Sequence, residues 1–465
     1  LILKKRQTLQ TTALVALLLS LLFLRCEPQE EIINYNFTDG LLIDTDTVLF
    51  DTVFTNAGSI TKRLKVVNPS SNALQISRIT LAGGASSSYT MFVDGMERTM
   101  VEDQLVLGND SLLILVDVFI DPLDQDAAYL VSDSIVFETN GQIQDVKLVA
   151  WGQDANYLGN VVLPCETVWT PGRPYVLYGS VMVDTLCTLK IEPNTRIFAT
   201  KDSYLYVGGR LLAHGTAKKR ILMRNDRIGF PYDDLPGQWG GIVFLEGTHN
   251  NEIIYTDIRN AIYGVRLGAP DQDTIPDVVL KNTIIENMSN SGILCFTSDL
   301  YAENTLVNGC LQFTCANIAG GHYTYRHCTF GNYSLNYIRD NPTLLISDNL
   351  LLDDGTDIIE DITVSMQNSI VYGDLQEEVL FDLSGGAAAR LSLSHNIFRS
   401  SIPELDINEN ILNQDPEFIN PYKNNYALDT LSPAKDTGEP IGISIDLQGS
   451  ERDELPDIGA YERLE

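Results

Sequence analysis

Positive charge is scarce in this sequence. Lys and Arg number 31 against 62 Asp and Glu, a net charge of −31. Such a surface repels phosphate and excludes a nucleic-acid partner. It steers no polyanion either, unless a local basic groove or a bound cation intervenes. The 7 cysteines form no Cys-x-x-Cys pair and no Cys/His cluster of zinc spacing, which excludes a structural zinc site. No loop has the oxygen-ligand spacing of a calcium site. The apolar run at residues 12–24 is too short for a comfortable membrane span.

What is present is repetition. An Asn followed two places on by an apolar residue occurs at Asn282/Ile284, Asn304/Leu306, Asn349/Leu351, Asn368/Ile370 and Asn396/Phe398, with Cys328/Phe330 filling the gap. The steps are 22, 24, 21, 19 and 28 residues. That loose period, with strand-type alternation inside each unit, predicts a solenoid of stacked coils sharing one elongated core. Asn suits the left-handed backbone of a sharp bend between short strands. Its amide is expected to bond to the coils above and below.

The 465 residues allow two or three domains. Residues 35–156 alternate in short runs (Leu64, Val66; Ile114, Val116, Val118; Ile135, Phe137; Val146, Leu148) separated by turn signals such as Asn68-Pro69, Asp121-Pro122 and Asn140-Gly141. They predict an antiparallel β-sandwich. The strings TKRLKVVNPSSNALQISRITL and SLLILVDVFIDP resemble the immunoglobulin-like modules of bacterial surface proteins, which implies a spacing or contact role.

Lys4, Lys5 and Arg6 precede the apolar run, and Cys26 follows it. This layout resembles a bacterial lipoprotein signal, with residues 1–25 removed and Cys26 lipidated. Arg25 departs from the small residue usual there. Residues 26–34 form an acidic tether that resembles the surface-export signal of Bacteroidota lipoproteins and equally suits a solvated linker. The resemblance implies anchoring to the outer membrane through the lipid, facing the exterior.

Residues 157–414 carry Leu189, Ile191, Pro193, Thr195 and Ile197, then Leu205, Val207, Gly209, Leu211, Ala213, Gly215 and Thr216, then GQWGGIVF. These phrases resemble the opening coils of right-handed parallel β-helix proteins of Bacteroidota. Trp239 reads as a packing residue. The strings LSPAKDTG and DLQGSERDELPDIGAYE resemble the C-terminal segment of choice-of-anchor β-helix proteins. Residues 415–465 are therefore expected to close the open end of the solenoid. Asp436, Asp446, Arg452, Asp457 and Glu462 are expected to pair there with backbone donors or one another. No cofactor is expected, calcium being the one ion such carboxylates would suit. The fold class is thus all-β, an immunoglobulin-like sandwich followed by a right-handed parallel β-helix. Cys165 and Cys187, 22 residues apart, either form a disulfide between coils or serve as small core residues.

Chemistry is less legible. Polysaccharide hydrolysis requires two carboxylates across the scissile bond. Asp353-Asp354 is the nearest dyad, and it reads as a solvated acidic loop. The motif set of β-helix polygalacturonases is absent. The candidate binding patch is 321–339, with His322, Tyr323, Tyr325, Arg326, Tyr333, Tyr337 and Arg339, extended by Tyr263 and Arg266 from a lower coil. Aromatics with Arg and His on one face suit sugar stacking and hydrogen bonding. The reading is a monomeric, non-catalytic surface protein that binds a glycan or a partner protein. The alternative is a polysaccharide-active lyase or glycoside hydrolase.

Overall fold

The computed structural model describes residues 31–37, 40–268, 274–334 and 337–463. The signal segment, Cys26 and the first part of the tether lie outside the described residues. Two compact units are present. The first includes Ala57–Ile120 and Leu130–Trp151, the second Gly152–Glu465 with two short upstream segments.

The first unit holds two five-stranded sheets. In one, Leu42–Ile43, Lys62–Val67, Ser111–Val118, Tyr89–Val93 and Met96–Arg98 pair antiparallel in that order. Alternation sends Leu64, Val66, Ile114, Val116 and Val118 into the core. In the other sheet Leu74–Leu81 pairs antiparallel with Met100–Val106 and Tyr129–Thr139. This is the sandwich that the alternation predicts.

The second unit is a parallel β-helix. Its 11-stranded and 16-stranded sheets are built from successive coils in parallel register. In the larger sheet Ile191, Ala213, Ile253, Leu280, Ala302, Tyr325, Met366 and Leu393 stand in one row. In the smaller, Ile197, Met223, Ile258, Ile285, Val307, Phe330, Val371 and Phe398 do the same. All belong to one buried core. No coil buries its inner face alone, and stacking supplies the missing half. Cys165 and Cys187 form a disulfide, Cα to Cα 4.5 Å.

The bend series differs in detail from the sequence reading. Register aligns Asn282, Asn304, His327, Asn368 and His395, all left-handed, with φ of 46 to 53°. Cys328 and Asn396 fall one place later, on the inside. There Thr283, Thr305, Cys328 and Ser369 each bond the carbonyl two residues back. Asn349 leaves the series altogether. It sits in a lateral antiparallel hairpin of Asn349–Leu351 with Asp357–Ile359. That insertion lengthens one coil and hides the true station from a simple spacing count.

The end of the chain lies along the flank of the coils instead of over the last one. Asn282 Nδ2 donates to the Asp446 carbonyl at 2.6 Å, Asn304 Nδ2 to Ile445 at 2.8 Å, and Asn368 Nδ2 to Glu439 at 2.7 Å. His327 Nδ1 lies 3.2 Å from the Asp457 carbonyl. The bend amides thus hold this strap, contrary to the expectation that they stack on one another. The one rung-to-rung bond in the series joins Asn368 Nδ2 to His327 Nε2 at 2.9 Å. Leu447, Ile458 and Ala460 of the strap cover Leu306, Ile370 and Ile397 on the outer face of the smaller sheet.

The strap's carboxylates are already supplied with donors. Asp446 accepts from Gln448, Ser450 and Glu462 N–H, and Asp457 from Asp436 and Arg463 N–H. Glu462 pairs with buried Arg452 at 2.9 Å. Among the described residues no group of three or more His, Cys, Asp and Glu is arranged to hold a metal ion.

Candidate functional site

The proposed patch does not form one surface. Strand Cys315–Arg326 alternates, so Tyr323 and Tyr325 point into the core, 1% and 0% exposed. Tyr325 Oη donates to Asn317 Oδ1 at 2.9 Å and its ring meets Phe330 edge-on. Tyr323 Oη donates to the Gly320 carbonyl at 2.8 Å. These two are packing residues, a correction to the reading of a continuous aromatic face. His322 and Arg326 face outward. His322 Nδ1 lies 2.9 Å from Asp299 Oδ1, and Arg326 bonds Ser365. Arg266 covers the Phe296 ring at 5.6 Å, and Tyr263 packs on Leu294, Ala316 and Leu345. Arg266 aligns with Ala316 through Leu294, six residues before His322 and on the other side of the bend at Ala319, Gly320 and Gly321. Arg339 is buried against Glu378, which also takes the Thr343 N–H and hydroxyl. It is a structural ion pair and no ligand contact. Asp353 and Asp354 sit exposed in the turn of the lateral hairpin.

Tyr333 and Tyr337 do reach a site. They line a flank groove of about 370 Å³ together with Asp233, Asp234, Asn260, Glu286, Asn287, Asn308, Gly309, Tyr422 and Lys423. Four parts of the chain build it, one of them the segment after strand Thr329–Asn332 that carries Tyr333 and Tyr337. One wall is the 3₁₀ turn Tyr232–Asp234. The floor is the row of bends after strands Thr256–Arg259, Ile284–Glu286 and Leu306–Asn308. The far wall is strap turn Pro421–Lys423.

A second amide ladder runs along the floor. Asn260 Nδ2 donates to Asn225 Oδ1, and Asn287 Nδ2 to Asn260 Oδ1, both at 2.7 Å. The equivalent residue in the next coil is Gly309, at φ +63°. The one after that, Asn332, turns its amide onto the Cys310 backbone. Beside Gly309, Asn308 is fully buried, and neither amide atom completes a hydrogen bond of ordinary geometry.

Three carboxylates converge here. Glu286 is 8% exposed, and burial raises its pKa, opposed by Arg259 at 2.9 Å and by the adjoining Asn308 amide. Asp233 is held by Arg224 Nη2 at 2.6 Å and by the Gly229 N–H. Asp234 is exposed at the rim. Tyr337 is partly buried, which raises its pKa, with Asp234 adding to the effect. Tyr422 is 47% exposed and its hydroxyl donates to Asp374 at 2.8 Å. Tyr333 is edge-on to Tyr422 and Phe418, so it supports the wall. Only Tyr333 and Tyr337 were legible beforehand. The series Asn225, Asn260, Asn287 was a readable signal, blurred by the loop at 226–240.

No protein-family model matches the chain. No curated protein matches it. Among solved structures one match is the catalytic domain of a GH87 alpha-1,3-glucanase in complex with nigerose. It is 10% identical over 72% of this chain and 80% of that one, with a TM-score of 0.17. At that TM-score it carries no argument about the groove. Fold and site define a parallel β-helix protein with a polar groove on its flank, floored by carboxamides and walled by tyrosines.

Proposed function

We propose that this chain is an exported surface protein, lipid-anchored through Cys26, whose β-helix binds glycan non-catalytically in the flank groove. In this reading residues 1–25 are a cleaved signal, 26–34 a tether, 35–156 a spacer and 157–414 the binding domain, with 415–465 as its strap. The protein stands on the outer membrane facing outward, as a monomer, and resembles Bacteroidota lipoproteins of this build. The observation that carries the reading is the lining itself. Carboxamides and carboxylates offer hydroxyl-matching donors and acceptors, and Tyr337 and Tyr422 offer ring faces. The carboxylates disfavour acidic sugars, so the ligand is a neutral glycan.

Affinity chromatography on immobilised neutral glycans tests this. The intact protein is expected to be retained, and Tyr422→Ala to be retained far less. Passage of the intact protein through every column would overturn glycan binding and leave a protein partner as the ligand.

One observation favours a second reading, a polysaccharide-active enzyme. Glu286, its pKa raised by burial, and exposed Asp234 line the same groove, two carboxyl groups in unlike surroundings as a glycoside hydrolase uses. Release of new reducing ends by the intact protein, lost in Glu286→Gln, would establish it. Absence of release removes it.

A further inference from the structure

The geometry points to a second sugar subsite on the same flank, a cleft at Arg399 that holds the far end of a linear neutral glycan whose near end lies in the groove at Glu286. The inference rests on the glycan-binding reading and gives the ligand a length. Outward positions of the smaller sheet align Glu286, Asn308, Gly331 and Tyr372. Arg399 and Asn413 continue this column, each one residue beyond the paired Phe398 and Leu412. The groove uses the rungs of Glu286 and Asn308. A second cleft, of about 380 Å³, uses the rungs of Tyr372, Arg399 and Asn413 and adds Gln376, Glu377 and Ser401.

One rung lies between the two clefts. It is Gly331, and the Tyr426 ring of the strap packs on it where a Cβ would stand. Tyr422 marks the crossing. It lines the groove, and its hydroxyl is held by Asp374, whose other oxygen takes the Ser334 N–H at 2.8 Å. Tyr422 is half-exposed, so a chain that leaves the groove passes over its ring toward Arg399. The second cleft is preformed. Glu377 takes the Ser400 hydroxyl and the Ser401 N–H, both at 2.9 Å. Arg399 covers the Tyr372 ring at 5.3 Å and donates through Nη1 to the Gly373 carbonyl at 2.6 Å. No carboxylate pairs with it among the described residues, and its other N–H groups are donors for sugar hydroxyls. The exposed Gln376 amide offers both a donor and an acceptor. Glu377 and Asp374 beside them disfavour an acidic sugar here as in the groove. From the Glu286 rung to the Asn413 rung is about 24 Å at the spacing of neighbouring strands. An extended hexose chain advances about one coil spacing per unit, so the two clefts together take about six sugars and the groove alone about three.

The test titrates N-acetylated chitotriose and chitohexaose, a neutral linear pair, calorimetrically into the intact protein. The hexaose is expected to bind roughly tenfold tighter or more, the scale of the hydrogen bonds one added subsite makes. Gln376→Ala and Arg399→Gln are each expected to remove most of that gain and to leave chitotriose affinity unchanged. Gln376→Ala alters an exposed side chain and keeps the natural melting temperature, so it decides the matter even where Arg399→Gln folds poorly. Equal affinity for the two glycans would overturn the second subsite while leaving glycan binding intact. A gain with length that survives in both folded variants would also overturn it. Binding of neither glycan would overturn the subsite and the glycan reading together.

Discussion

Arg452 reaches back 148 residues to Asn304, donating through Nη2 to its Oδ1 at 2.9 Å. The same guanidinium holds Glu462 at 2.9 Å and the Gly459 carbonyl at 2.9 Å, and its side chain is 1% exposed. A buried cation so placed fixes the strap to the middle coils. Arg452→Ala strands the Glu462 carboxylate and Asn304 without their donor. It is expected to cost about 3–5 kcal/mol, read as a lowered urea midpoint. Asn304→Leu, which removes one amide that serves Ile445 and Arg452, is expected to cost about 1–3 kcal/mol. An unchanged midpoint in both would mean that the strap is not held this way.

His327 makes the strap's attachment sensitive to acid. Its pKa in the folded protein lies well below the ordinary value of 6.5, through burial first and then the nearby Arg452. The unfolded chain therefore binds the proton more readily. The stabilisation is complete above about pH 6.5 and drains away as the pH falls, at about 1.4 kcal/mol per unit. Asp457 and Glu462 act oppositely, because burial raises their folded pKa and their protonation favours the folded state. Comparison of the natural chain with His327→Asn at each pH subtracts their effect. Urea unfolding at pH 7.5 and 5.5 is expected to show a smaller acid loss in His327→Asn. An identical loss would remove His327 as its cause.

Tyr325 and Tyr422 are expected to separate folding from binding. Tyr325→Ala opens a cavity in the core row and strips Asn317 of a partner, a cost of about 3–5 kcal/mol. Glycan affinity of the remaining folded protein is expected to be unchanged. Tyr422→Ala is expected to leave the melting temperature within a degree or two and to weaken binding at least several-fold. Calorimetry of both variants checks this, and the reverse pattern would return the ligand to the 321–326 strand.

Cys26→Ala is expected to move the protein from the membrane fraction to the soluble fraction. Continued sedimentation with membranes, with the apolar run 12–24 still attached, would show that this run and not a lipid does the anchoring.

The solenoid was readable because its cause is local and repeated. Apolar pairs such as Leu189/Ile191 and Leu205/Val207 mark inward strand positions coil by coil, and the register stacks them as expected. The bend series was readable only in part, since Asn-x-apolar describes both the bend at Asn304 and the inward site at Asn396. Tyr323 and Tyr325 illustrate the same limit for function. Their parity with His322 and Arg326 placed them on opposite faces, and that parity was in the sequence. The groove was hidden for a different reason. Asp234, Asn287, Tyr337 and Tyr422 lie far apart in the chain, and only the lateral excursion of the strap brings the last of them to the coils.

The most direct test of the account is a crystal structure of the protein soaked with N-acetylated chitotetraose. Sugar density is predicted in the flank groove, with a ring against Tyr337 or Tyr422. Density on the outer face near His322 or Arg266 instead, with the groove empty, would contradict it.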